Sequence, residues 1–285
     1  MLFRSGLTLG VHTRIDETLA QVVQAANAGN VYANRNIVGA VVGVQPFGGE
    51  GLSGTGPKAG GPLYLLRLLA ARPADAARRA THDAAASAAP PLRGWAAPPD
   101  EAEAQLAARA LQEWAREQGH ADLAAAAEGF ARIAPAGGWR SLAGPTGEAN
   151  LYATLPREAV LCLAETDADR LLQLAAVLAV GSRAVWPAAH RALREHLPHA
   201  ARERVALAQD WQGEAVRFDA VLVHGAADRI LAVLARLADR SGPIVGVTAL
   251  ACGDPDIPLE RLLIERSLSI NTAAAGGNAS LMTIG

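Results

Sequence analysis

A chain of 285 residues, 51% of them hydrophobic, has room for two domains and enough apolar side chain to bury a sizeable core. Its formal net charge of -2 provides no basic field to gather phosphates, which argues against nucleic acid as a partner of this segment. Two cysteines outside any metal or disulfide spacing, no apolar run long enough to cross a bilayer and no secretory leader argue against zinc, disulfides and membrane spanning, and fit a cytoplasmic setting.

Three zones differ in texture: residues 1–72, 73–136 and 137–285. In the first, residues 7–11 alternate like a short strand. Thr13 stands three positions before Asp16 and predicts a capping-box-like helix start, with Asp in place of Glu or Gln. Leu19, Val22, Val23 and Ala26 follow at helical spacing, and Gly29 occupies the place of a left-handed cap. Residues 31–34 predict the next strand, 39–44 form another apolar run, and 46–61 form a loop dense in glycine. Such a loop does not make core; its backbone is shaped for close approach.

The second zone is rich in alanine. Asp100 is placed to cap a helix with Leu106, Ala110, Leu111 and Trp114 on one face, and residues 78–99 are the candidate flexible linker. In the third zone, residues 139–143 and 150–155 flank Pro145-Thr146-Gly147 and predict a β-hairpin. Strands are expected at 160–164, 183–186, 205–208, 220–224 and 244–249, with helices at 167–180, 188–196 and 226–239. This alternation predicts a parallel, Rossmann-like α/β layer. No G-x-G-x-x-G follows Ala164 or His224, so the layer carries no dinucleotide signature.

The glycine-rich loop is the sharpest chemical feature. Exposed backbone N–H groups at such a turn can hold a carboxylate, and Phe47 beside them can wall off an apolar chain. An ordinary surface turn fits the glycine content equally well. His190, His196 and His199 lack bracketing carboxylates or cysteines and read as a solvated helix face. Arg191, Arg194, Arg202 and Arg204 read as surface, and Cys162 as an apolar filler in a buried strand.

The order of motifs narrows the choice. Gly6-Leu7-Thr8-Leu9-Gly10-Val11-His12-Thr13-Arg14, Gly29-Asn30-Val31-Tyr32-Ala33-Asn34-Arg35-Asn36, Pro46-Phe47-Gly48-Gly49 and Ser53-Gly54-Thr55-Gly56 together resemble the C-terminal part of the aldehyde dehydrogenase superfamily. The run from Asn34 through Gly39-Ala40-Val41-Val42-Gly43-Val44-Gln45-Pro46-Phe47 is similar to the branch acting on L-glutamate γ-semialdehyde, the open form of Δ1-pyrroline-5-carboxylate. That resemblance implies that Gly39 and Ala40 donate backbone amides to the substrate's α-carboxylate. It implies that Phe47 packs beside the carbon chain and Ser53 helps hold the loop.

Leu155-Pro156-Arg157, Val160-Leu161-Cys162-Leu163-Ala164 and the ending from Glu265 to Met282 resemble the extra C-terminal domain of proline utilization A enzymes. Those bifunctional enzymes join a flavin proline dehydrogenase to the NAD-dependent semialdehyde dehydrogenase and are implied to channel the intermediate. The resemblance implies an α/β fold. Residues 1–72 would end a dehydrogenase catalytic domain, 73–136 would form a helical linker, 137–265 a Rossmann-like domain with a hairpin flap, and 266–285 a docking tail. The family's catalytic cysteine and glutamate lie upstream of the matching segment, and neither Cys162 nor Cys252 has the nucleophile's surroundings. The chain alone is therefore expected to be inactive. NAD belongs to the full dehydrogenase domain and FAD to the proline dehydrogenase domain, with neither expected to bind here. A small-molecule substrate and a homo-oligomer are expected of the full-length enzyme. Residues 1–5 depart from the run expected before Gly6. The rival reading is a noncatalytic binding or oligomerisation module, which gives no reason for an intact anchor loop over 39–61.

Overall fold

The computed structural model describes residues 5–272, apart from 39, 55, 70, 72, 74, 76–100 and 135–137. Gly39, the linker at 78–99, the capping Asp100 and the far tail at 273–285 lie outside the described residues. The fold is mixed α/β. It divides into two compact units, residues 1–96 with 137–155 and 264–285, and residues 97–136 with 156–263. The expected boundaries fall elsewhere: the hairpin and the C-terminal strand group with the N-terminal zone, and the helices of the supposed linker with the Rossmann-like layer.

In the first unit, β1 (Ser5–Gly6) and β2 (Thr8–Val11) lead into helix α1 (Asp16–Ala25). Leu19, Ala20 and Val23 form its buried face. The expected capping box is not made: the N-cap is Ile15, with no side-chain cap, and the Thr13 hydroxyl accepts the Ile15 N–H at 3.1 Å. A Thr that turns the chain two residues on is spent before the helix begins. Gly29 is not a left-handed cap either; the helix closes at Ala26 with φ -70° and ψ 132°.

Strand β3 (Asn30–Ala33) is fully buried, and β4 (Glu50–Gly51) pairs antiparallel with β1. The hairpin forms as expected, β5 (Gly138–Leu142) against β6 (Glu148–Pro156), with Gly147 at φ 84° in the turn. The docking tail expected from Arg266 is instead the second half of β12 (Leu263–Asn271), a nine-residue strand. It lies third in a five-stranded sheet ordered β2-β3-β12-β6-β5 and runs parallel to β3, with Leu268 opposite Val31. Its Leu268 joins Val23, Val31, Ala153 and Trp139 in the unit's apolar core.

In the second unit, α2 (Glu101–Glu117) and α3 (Ala121–Ile133) pack together and onto α4 (Asp167–Ala179). The buried face of α2 is Ala104, Ala107, Leu111 and Ala115, whereas Leu106 is 60% exposed. The larger side chains misled the periodicity: alanines at helical spacing allow the close approach, and Leu106 sits on the outer face. Strands β7 (Ala159–Ala164), β8 (Arg183–Pro187), β9 (Val205–Ala208), β10 (Ala220–His224) and β11 (Gly246–Leu250) are all parallel, in the order β11-β10-β7-β8-β9. Short helices α5 (Arg191–Glu195) and α6 (His199–Arg202) lie between β8 and β9, and α7 (Ala227–Ala238) between β10 and β11. Thr166 caps α4 by accepting the Asp169 N–H at 3.0 Å, and Gly181 follows that helix at φ 89°. Arg204, expected at the surface, is buried and donates to the Gly181 carbonyl at 2.6 Å.

Candidate functional site: a glycine-lined loop held by the last strand

The site begins where β3 ends. Asn34 takes a left-handed conformation, φ 55°, that few non-glycine residues hold. A reciprocal pair of hydrogen bonds stabilises it: Thr13 N–H to Asn34 Oδ1 and Asn34 Nδ2 to Thr13 O, both 2.9 Å. The apolar run beyond is not core. Val38 is 78% exposed and Val42 97%. Ala40 is half-buried ahead of a tight turn at 41–45. Gln45 closes that turn upon itself, its N–H reaching Val41 O at 3.0 Å and its Oε1 accepting the Val41 N–H at 3.1 Å.

Phe47, also half-buried, forms an isolated antiparallel bridge with Ala59, the two exchanging N–H···O bonds of 3.0 and 2.8 Å. Between those arms the backbone folds through successive turns, with Ser53 N–H on Glu50 O at 3.1 Å and Gly54 N–H on Gly51 O at 2.9 Å. Gly49 lies so close to Ser53 that a Cβ there would collide with it. Gly29 serves the same end from below: a Cβ would strike the Gly48 carbonyl and the Lys58 ammonium.

Lys58 is buried under the loop. Its ammonium donates to the Gly48 carbonyl and stands 3.4 Å from Asn30 Oδ1. Burial pulls its pKa down to about 8, against the opposing fields of Glu265 and Glu50. Asn30 in turn donates to Leu7 O at 2.9 Å and Gly48 O at 3.0 Å.

Strand β12 supplies the frame. Its residues alternate faces, so Glu265, Ser267 and Ser269 point one way. Glu265 Oε2 accepts the Lys58 backbone N–H at 2.8 Å, and Oε1 accepts the Tyr152 hydroxyl at 2.6 Å. Ser267 Oγ donates to Pro46 O at 2.7 Å, and Ser269 Oγ accepts Gln45 Nε2 at 3.2 Å. That Gln45 amide also reaches Asn150 Oδ1 at 2.9 Å. On the opposite face Arg266 grips Glu50 through Nη2, 2.9 Å to each oxygen, and through Nε at 3.1 Å. Burial raises the Glu265 carboxyl above the usual range, while its hydrogen bonds and Lys58 oppose the rise. The Tyr152 hydroxyl is raised too, by burial and then by Glu265.

Ala40, Phe47 and Ser53 thus belong to one loop. A cavity of ≈ 250 Å³ beside the loop is lined by Val44, Pro46, Gly61, Pro62, Arg140 and Leu142, among others. Lys58, Glu265, Tyr152 and Gln45 escaped the sequence reading as site residues. The available signal is the alternation Glu265-x-Ser267-x-Ser269, which runs across the expected boundary between domain and tail.

The second unit holds the parallel layer. Its strand order reverses between β7 and β10, where a doubly wound sheet holds a dinucleotide. Side chains fill that crevice here. Arg170, 1% exposed, donates to Ala164 O at 2.6 Å, and Gln173 Nε2 reaches Leu163 O and His224 Nδ1, both at 2.9 Å. The other ring nitrogen, His224 Nε2, lies 2.9 Å from Asp254 O. The N-terminus of α4 is taken by Thr166 and the buried carboxylate of Asp169, where a pyrophosphate would need to sit. These residues do not fit NAD.

Cys162 is fully buried in β7 and its thiol is pushed up to about 12, while exposed Cys252 donates to Glu165 Oε2 at 3.2 Å, which raises its pKa. Neither is a poised thiolate. Among the described residues no three His, Cys, Asp or Glu side chains cluster to hold a metal, and no helix is long and apolar enough to cross a membrane.

The loop lies in the part of the chain, residues 3–73, that matches the aldehyde dehydrogenase family. The whole sequence is 56% identical over 284 residues to bifunctional protein PutA of Escherichia coli (strain K12), covering 98% of this chain and 21% of that protein. Against 1-pyrroline-5-carboxylate dehydrogenase of Geobacillus sp. (strain WCH70), it is 46% identical over 67 residues, 24% of this chain and 13% of the relative. The structure of proline utilization A from Corynebacterium freiburgense superposes with a TM-score of 0.51 at 20% identity, over 94% of this chain and 23% of that one, a likeness of fold. The chain is PutA-like over nearly its whole length, its residues 3–73 match the aldehyde dehydrogenase family, and it spans about a fifth of the length of the curated PutA relatives it matches.

Proposed function

We propose that this chain carries the substrate-anchoring part of an NAD-dependent L-glutamate γ-semialdehyde dehydrogenase of proline catabolism. In this reading Gly39 and Ala40 present backbone amides to the α-carboxylate, Phe47 packs along the carbon chain, and Ser53 steadies the loop. One observation supports the reading: the glycine-lined loop is tied down by its own hydrogen bonds and by those of the strand packed against it. Gln45 closes its leading turn, the Phe47–Ala59 bridge fixes its arms, and β12 braces it from beneath. Preorganised amides of this kind hold a carboxylate without first ordering themselves. Support comes also from the 1-pyrroline-5-carboxylate dehydrogenase relatives.

Aldehyde oxidation by this family's route needs a thiolate nucleophile, which neither Cys162 nor Cys252 supplies, so the chain by itself does not turn over. We place NAD and FAD binding outside these residues. The second unit is a noncatalytic companion whose crevice its own side chains occupy.

The experiment is a titration of the purified chain with L-glutamate, followed by amide chemical shifts, beside an assay for NADH formation from the semialdehyde. Saturable shifts confined to Ala40 and its neighbours together with Phe47, with no NADH formed, are expected. Shifts elsewhere would discard the anchor, and measurable turnover would discard the claim of inactivity.

A further inference from the structure

We propose that Glu265 is a positioning residue for the anchor loop: its buried carboxylate sets the height of the loop's returning arm by receiving the Lys58 amide and the Tyr152 hydroxyl together. This rests on the reading of the loop as a substrate anchor.

Two donors from different elements converge on one carboxylate. Lys58 N–H, from the loop, reaches Oε2 at 2.8 Å, and Tyr152, from β6, reaches Oε1 at 2.6 Å. Hydrogen bonds to a charged acceptor are the short, directional kind. Glu265 is itself anchored, because β12 is laddered to β3 from Ser267 opposite Asn30 onward. Lys58 immediately precedes Ala59, the bridge partner of Phe47. The position of the Lys58 amide therefore fixes that of Phe47, the residue assigned to the substrate's carbon chain. Gly61 shows how tightly the arm is seated, since a Cβ there would stand 3.0 Å from Glu265 Oε1. The Lys58 ammonium makes no ion pair with this carboxylate; it turns away to Gly48 O and Asn30. The contact that links Glu265 to Lys58 is thus to backbone, and it reports geometry more than charge pairing. A buried carboxylate is costly where an apolar side chain would fill the same space, and placing the loop gives it a use.

The test is amide hydrogen exchange on the full chain, comparing Glu265→Ala and Glu265→Gln. Losing the acceptor in Glu265→Ala should speed exchange at Lys58, Phe47 and Ala59 by about tenfold or more, while the β3 and β12 amides keep their protection. Glu265→Gln should restore protection, because its carbonyl can accept the Lys58 N–H and the Tyr152 hydroxyl can turn to accept its amide. Unchanged exchange in Glu265→Ala overturns the proposal, as does a glutamine variant no better than alanine. If Glu265→Ala loses the whole sheet, Tyr152→Phe decides: faster exchange at Lys58 and Phe47 is expected, and no change overturns the proposal. L-Glutamate affinity, read at Ala40, should fall about tenfold in Glu265→Ala and be kept in Glu265→Gln. An unaltered affinity in Glu265→Ala contradicts the positioning role. If the wild-type chain fails to bind glutamate, the anchor reading falls while the exchange data still decide whether Glu265 sets the loop.

Discussion

Lys58 holds an amine beneath the glycine-rich loop with carbonyl oxygens, not a carboxylate, as its nearest partners. Its pKa of about 8 lies below the usual lysine value of 10.5. Between those two pH values the unfolded chain holds the proton and the folded chain does not. The unfolded state then binds more protons, and stability rises with pH across that window by up to roughly 3 kcal/mol. Denaturation from pH 8 to 10.5 should show that gain in the wild type and not in Lys58→Met; parallel pH profiles would show an amine of ordinary basicity. At this scale the sequence was only partly legible. The loop's glycines and Phe47 stood out because their order is distinctive. Lys58 did not, because nothing in the residues around it shows that its side chain turns inward. Thr13 shows the converse error, a local motif read as a helix cap when the hydroxyl had already been used by Ile15.

The element that changes the picture most is β12. Small, weakly charged residues near a C-terminus suggested a tail, yet Ser267 and Ser269 are buried and hydrogen-bonded from within a five-stranded sheet. Polar side chains survive there because they find hydrogen-bond partners, so one face of the strand is buried yet polar, and Leu268 and Ile270 alone carry the short apolar alternation at its end. The hairpin and the parallel layer were legible for the opposite reason: a turn signal at Gly147 and apolar strands such as β7 and β10, buried from both sides. Arg266 shows what the strand contributes energetically. It is 6% exposed at its side chain and paired with an 11% exposed Glu50, so Arg266→Ala would leave a buried carboxylate unpaired. A loss of about 3–5 kcal/mol is expected from urea denaturation. The double variant Arg266→Met with Glu50→Gln should recover much of it, and equal losses in both would mean that the pair acts through packing alone.

At the scale of the whole molecule, two units built from interleaved stretches of chain divide the chemistry. The first holds the loop and its bracing strand; the second closes its own crevice with Arg170, Gln173 and His224. That interleaving explains why linear boundaries drawn from composition fell elsewhere: a texture change marks a local preference, whereas a unit is defined by which distant stretches of chain pack together. The central claim is that the loop grips the acid end of an amino-acid aldehyde, and a structure of the chain with L-glutamate tests it most directly. The α-carboxylate should lie within about 3 Å of the Gly39 and Ala40 amides, with the ligand's carbon chain along Phe47. Glutamate bound at any other surface, or held in the loop by its side-chain carboxylate, would contradict the account.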